Sequence, residues 1–210
     1  VKERGIIMSG PMVRAIRDGR KTQTRRIVKQ ATDHGEIAFA VEPAKDSGWI
    51  AWFGQPDPTV RQLTKRAYSN GFACPFGVPG DRLWIRETFA QWPVASGQYR
   101  YRADGEWTDE ERAAGAQWAG GFLMPRVASR IVVGVTDIRV EPLQAISEIG
   151  AIAEGIDGIE PEPREAFREL WESIHGPGSW VVNPWVWVIQ FGPVAHTYFL
   201  NEQHEEHIRR

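Results

Sequence analysis

Lys21 and Thr24 stand three residues apart in the stretch "DGRKTQTRRIVK", residues 18–29, which carries five cations and one carboxylate. A hydroxyl beside an amine is a catalytic arrangement when the amine's pKa is lowered, because the free base can then take the hydroxyl proton. Neighbouring cations push a lysine that way by like-charge repulsion. In a regular strand, residues three apart point to opposite faces, whereas Thr22, Thr24 and Arg26 share one side. Lys21 and Thr24 therefore cooperate only if the chain still turns at Lys21, and the preceding Gly19 provides for such a turn. Over residues 14–29, Arg14, Arg17, Arg20, Lys21, Arg25, Arg26 and Lys29 face the single carboxylate Asp18. Two outcomes are open for this group: an anion-attracting patch at a helix–strand junction, or solvated side chains paired with the chain's own carboxylates.

"RLWIRETF" supplies a second set. Arg82, Trp84 and Arg86 alternate with Leu83, Ile85 and Glu87, so one face of a strand offers two guanidiniums flanking an indole. That arrangement suits a base with a phosphate or carbonyl nearby. It equally suits a packed strand whose arginines pair with Asp81 or Glu87. His204 and His207 form an HxxH pair without a firm third ligand, so no metal is expected, and no cofactor. The chain has neither GxGxxG nor GxxxxGK[ST], which argues against P-loop chemistry. The single Cys74 has no partner for a disulfide or a zinc site, consistent with a cytoplasmic protein. "VKERGIIMSG" lacks the apolar core of a signal peptide, and no apolar run reaches membrane-spanning length. With a net charge of -2 and a pI near 6.3, nucleic-acid contact must be local. Most of the ten tryptophans are expected in packing.

The elements that must position these residues are legible in outline. "SGPMVRAIRDGR" predicts a short helix with Ser9 or Gly10 as cap, Pro11 in the first turn and Gly19 as stop, followed by a strand over 21–28. Residues 30–75 and 95–120 have the texture of insertions, the first an elaborated hairpin with strand-like "IAFAVE" and "GWIAWFG". Strands are predicted over 82–90, at "GQYRYRAD", over 129–143 with a bulge or bend at Gly134, and over 185–191. "SEIGAIAEG" predicts a helix from Ser147 to Gly155. "PREAFRELWESIHGPG" predicts another, with Ala166, Phe167, Leu170, Trp171 and Ile174 on one buried stripe. The expectation is one domain over 1–210, α+β and mainly β: a small curled sheet or barrel with helices at its side.

"GRKTQTRR" resembles the GxKxxExR signature of the ASCH family, relatives of the PUA domain, with Gly19, Lys21 and Arg26 on its fixed positions and Thr24 in place of the signature Glu. "PGDRLWIRETFA", "DIRVEPLQAISEIGAIAEGI" and "FRELWESIHGPGSWVVNPWVWVIQF" are similar, in order, to phage and prophage ASCH proteins. The resemblance implies a PUA-like β-barrel. One branch of that family, bacterial hydrolases of 4-acetylcytidine, carries a GRKTxT segment and a helix Glu. The resemblance therefore implies a metal-free amidohydrolase of N-acylated cytidine or cytosine-type nucleosides, with Lys21, Thr24 and Glu154 catalytic. Arg26, Arg82, Trp84, Arg86 and Arg20 are the substrate-binding candidates. The alternative is a module that binds RNA or modified nucleic acid, possessing in some relatives a proposed ribonuclease activity.

Overall fold

A computed structural model describes residues 1–29, 40–44, 48–53, 70–94, 96–156 and 162–194. The chain is mixed α+β with mainly sheet. Its principal sheet has five strands in the order β1 (Glu3–Ile7), β6 (Arg82–Arg86), β9 (Val132–Pro142), β10 (Trp185–Pro193), β2 (Gln23–Ile27). β1 runs parallel to β6 and the other neighbours are antiparallel, so β1 and β2 are the two edges. Among the described residues no ladder joins those edges, and the sheet is not a closed barrel. β3 (Ala40–Ala44), β4 (Gly48–Phe53) and β5 (Asn70–Ala73) form a separate antiparallel sheet within the predicted insertion. β7 (Phe89–Gln91) and β8 (Tyr99–Tyr101) pair as a hairpin, and the short α2 (Asp109–Ala113) follows with a Thr108–Glu111 capping box.

Alternation along the long strands separates two cores. Leu83, Ile85, Val133, Val135, Ile138, Trp187 and Ile189 face one side with Ile6, Met8 and Val13. The intervening Val186 and Val188 face the other side, where α3 (Glu148–Ala153) and α4 (Pro163–His175) cover them through Ala151, Phe167 and Trp171. The helix ends follow their caps: Ser147 Oγ accepts from the Gly150 amide at 3.1 Å, Gly155 leaves α3 at φ +91°, and Gly176 leaves α4 at φ +94°. Several expectations are corrected. β1 precedes α1 (Gly10–Arg17) and was not foreseen. The 82–90 run breaks into two strands, at 82–86 and 89–91. The bulge lies at Thr136, where the register slips between Gln190 and Phe191, because Gly134 is held in register between Arg82 and Gly192. Ile174 is 63% exposed and does not share the buried stripe of Phe167 and Trp171. His204 and His207 lie outside the described residues, as does part of the 30–75 insertion.

Among the described residues the tryptophans mostly pack. Trp107 stacks on Trp118 with centroids 4.1 Å apart and meets Trp92 edge-on, while Trp171 and Trp180 surround Phe167.

Candidate active site

α1 ends at a turn that decides where Lys21 points. Gly19 adopts φ +74°, and the amides of Arg20 and Lys21 both donate to the Ala15 carbonyl at 2.9 Å. β2 begins only at Gln23, so Lys21 is still in the turn, as cooperation with Thr24 requires. The Thr22 amide donates to Ala153 O at 2.9 Å, tying the start of β2 to the last turn of α3. Glu154, at the C-cap of α3, is thereby brought to Lys21.

The contact is direct. Lys21 Nζ donates to Glu154 Oε2 at 2.8 Å and to the Glu154 backbone carbonyl at 2.7 Å. Lys21 is 3% exposed and Glu154 4%. Burial holds the Lys21 pKa below the ordinary lysine value; Glu154 opposes that through charge and hydrogen bonding, while Arg26 and Arg25 reinforce it. Gly155 makes the approach possible, because a Cβ there would stand 2.9 Å from Ala15 Cβ and 3.0 Å from Lys21 Cβ.

The carboxylate's other oxygen belongs to Arg25. Its Nη1 donates to Glu154 Oε1 at 3.0 Å and its Nη2 to Glu141 Oε1 at 2.5 Å, with the guanidinium over the Phe167 ring at 5.8 Å. Arg25 is buried and was not among the residues expected at the site. The available signal was strand alternation: Arg25 pairs in register with Val188, which places it on the face that α3 and α4 cover.

Thr24 is 1% exposed and pairs with Ile189, so its hydroxyl starts from the opposite face of the sheet. Thr24 Oγ1 accepts from Arg26 Nη1 at 2.9 Å, and among the described residues Lys21 and Thr24 share no hydrogen bond. Arg26 spans the gap between the edge strands. Nη1 also donates to Arg25 O at 2.9 Å and Nη2 to Ile7 O at 2.8 Å, one carbonyl from each edge. Burial lowers the Arg26 pKa, against the attraction of Glu154.

The structure thus joins Lys21 to Glu154 and, separately, Thr24 to Arg26, with Arg26 near enough to Glu154 and Lys21 to act on them through charge. Arg20 lies at the periphery, donating to Asp18 at 3.0 Å and to Gly155 O at 3.4 Å beside a groove of about 460 Å³. Arg82, Trp84 and Arg86 are elsewhere, on the outward face of β6. Arg86 and Arg126 stack on Trp84 with distances of 5.4 and 6.0 Å to the ring centroid. Arg86 donates to the carbonyls of Gly121 and Phe122, and Arg82 and Arg126 pair with Glu3. Asp81 instead pairs with Arg4, and the buried Glu87 holds Arg130 through both its oxygens. The cations of the 14–26 run have internal partners too: Arg14 donates to Ala103 O and Arg17 to Asp104.

No family model matches the chain, and neither a curated protein nor a solved structure does. Among the described residues there is no cluster of potential metal ligands and no helix long and apolar enough to cross a membrane.

Proposed function

We propose that this chain is an amidohydrolase of N-acylated cytidine or cytosine-type nucleosides, with Lys21, Thr24 and Glu154 as its reacting groups. The observation that carries the reading is the buried Lys21–Glu154 pair, made between residues 133 positions apart, with Thr24 three residues further along the same segment. Burying an ammonium whose proton is destabilised does little for a fold, and strongly perturbed lysines concentrate at sites of proton transfer.

In this scheme Thr24 Oγ1 attacks the acyl carbon while its proton passes to Lys21 Nζ. The C–N bond then breaks, Lys21 returns the proton to the departing exocyclic nitrogen, and water releases the acid from Thr24 by the same route. The scheme requires Lys21 Nζ to exchange its bond to the Glu154 carbonyl for one to Thr24 Oγ1. Arg26 Nη1, already a donor to Oγ1, favours the developing negative charge there. Glu154 orients the Lys21 amine before the transfer and the ammonium after it. The same reading takes the five-stranded sheet as PUA-like, its open seam bridged by Arg26, and the protein as cytoplasmic.

A second reading, an RNA-binding module, draws on the Trp84 strip with its stacked guanidiniums. Those guanidiniums are already bonded to Glu3 and to carbonyls, which weakens it.

The test is ultraviolet monitoring of 4-acetylcytidine, and of other N-acylated cytosines, with the wild type, Lys21→Ala, Thr24→Ala, Thr24→Ser and Glu154→Ala. Loss of the base is expected to slow turnover by about 10²–10⁴-fold, and Thr24→Ser to retain activity. Turnover surviving Thr24→Ala removes the nucleophile, and a wild type inert towards every acylated cytosine removes the reaction. RNA affinity that falls steeply with salt would favour the second reading.

A further inference from the structure

Behind the Lys21–Glu154 pair lies a chain of paired charges that runs from the buried Arg25 to the partly exposed Glu141 and Arg139. Glu154 Oε1 accepts from Arg25 Nη1 at 3.0 Å, Glu141 Oε1 from Arg25 Nη2 at 2.5 Å, and Glu141 Oε2 from Arg139 Nε at 3.0 Å. Gln23, one strand position from Thr24, joins it by accepting from Arg139 Nη2 at 3.2 Å. Two guanidiniums and two carboxylates balance without Lys21. Guanidiniums do not give up their protons in proteins, and an uncompensated buried charge is costly. If one proton is to leave this cluster, it is the proton of Lys21.

We propose that Arg25 is a positioning residue for the reaction: as the permanent counter-ion of Glu154 it fixes the carboxylate beside Lys21 and leaves the lysine free to accept and release a proton. This rests on Lys21 being the base of the reaction proposed above. Without Arg25, Lys21 would be the one cation among the described residues hydrogen-bonded to the Glu154 carboxylate, and its own ion pair would hold it as an ammonium. The other charged groups facing the cluster are Arg26 from β2, Arg20 and Asp18 from the turn after α1, and Glu141 and Arg139 from β9. From α4 comes the Phe167 ring, with His175 near enough to Arg26 for the guanidinium to depress its pKa after burial. None of these replaces Arg25 on Glu154 Oε1.

The readout is the titration of the Lys21 side chain by NMR of lysine ¹³Cε and ¹⁵Nζ, its signal assigned by disappearance in Lys21→Met. Arg25→Gln removes a positive charge and is expected to move the Lys21 midpoint up. Glu141→Gln removes a negative charge and is expected to move it down. Arg25→Lys, which restores the charge, is expected to return it towards the wild-type position. Opposite signs establish that both charges couple to Lys21, whereas an ion pair that only braced the fold, without that coupling, would lower stability and leave the midpoint in place. An unmoved midpoint, or movement of both in one direction, overturns the proposal. Should Arg25→Gln not fold, Glu141→Gln at a partly exposed position decides alone: a midpoint that stays or rises refutes it. If the wild type hydrolyses acylcytidine, the acidic limb of its pH–rate profile follows the same directions. If it hydrolyses none while the titrations move as stated, the proposed reaction falls and the charge arrangement stands.

Discussion

Gly155→Ala tests whether the approach of α3 to the Lys21 turn depends on the missing side chain. The residue has φ +91°, which costs an L-amino acid about 1–2 kcal/mol. Its new Cβ would also stand 2.9 Å from Ala15 Cβ and 3.0 Å from Lys21 Cβ, both attached to backbone that hydrogen bonds fix in place. Overpacking of this kind adds about 1–3 kcal/mol, for a total of about 2–5 kcal/mol. Gly19→Ala is the control. It has φ +74° on the other side of Lys21 and nothing within 4 Å of its would-be Cβ, so it carries the conformational cost alone. With a urea dependence of about 2 kcal/mol per M, the unfolding midpoint should fall by about 1–2.5 M for Gly155→Ala and by about 0.5–1 M for Gly19→Ala. Effects of alanine on the unfolded chain are shared by both variants and cancel in the difference. Equal midpoints for the two variants would refute the crowding argument and, with it, the claim that Gly155 sets the position of Lys21.

Two further outcomes follow from the charge groups. The lowered Lys21 pKa means that the unfolded chain binds more protons than the folded one between the folded midpoint and the ordinary value of 10.5, so stability should rise with pH across that window. Lys21→Met should remove this slope, measured by urea unfolding at a series of alkaline pH values, and should not destabilise the protein at neutral pH, because Glu154 keeps Arg25. Arg130→Met leaves the buried Glu87 without its bidentate partner and should cost about 3–5 kcal/mol. Adding Glu87→Gln should recover part of that loss, and a double mutant as unstable as Arg130→Met would contradict the stranded-charge explanation.

What could be foreseen in the sequence was what local chemistry dictates. Ser147 and Gly155 bound α3, Pro163 and Gly176 bound α4, and Gly19 supplies the turn that frees Lys21 from strand geometry. Strand β1 escaped notice because it rests on a distant partner: only Ile6 of Glu3–Ile7 is buried, and parallel pairing with β6, some 79 positions away, makes the strand. Arg25 escaped for a related reason. A run of cations resembles an outward-facing patch until the carboxylates of Glu154 and Glu141 are seen to arrive from other elements. Arg82, Trp84 and Arg86 share a face of β6, as alternation foretells, but their partners Glu3 and the Gly121 and Phe122 carbonyls come from distant segments that alternation does not name.

The reach of Arg26 across the sheet has a consequence for association. Strands β1 and β2 each expose backbone groups that another chain could extend into a longer ladder. Here the two raw margins lie within one side chain of each other, and the guanidinium occupies a carbonyl on both. At that point neither margin offers its carbonyl to an incoming strand, so Arg26 shortens the template on both edges by one acceptor.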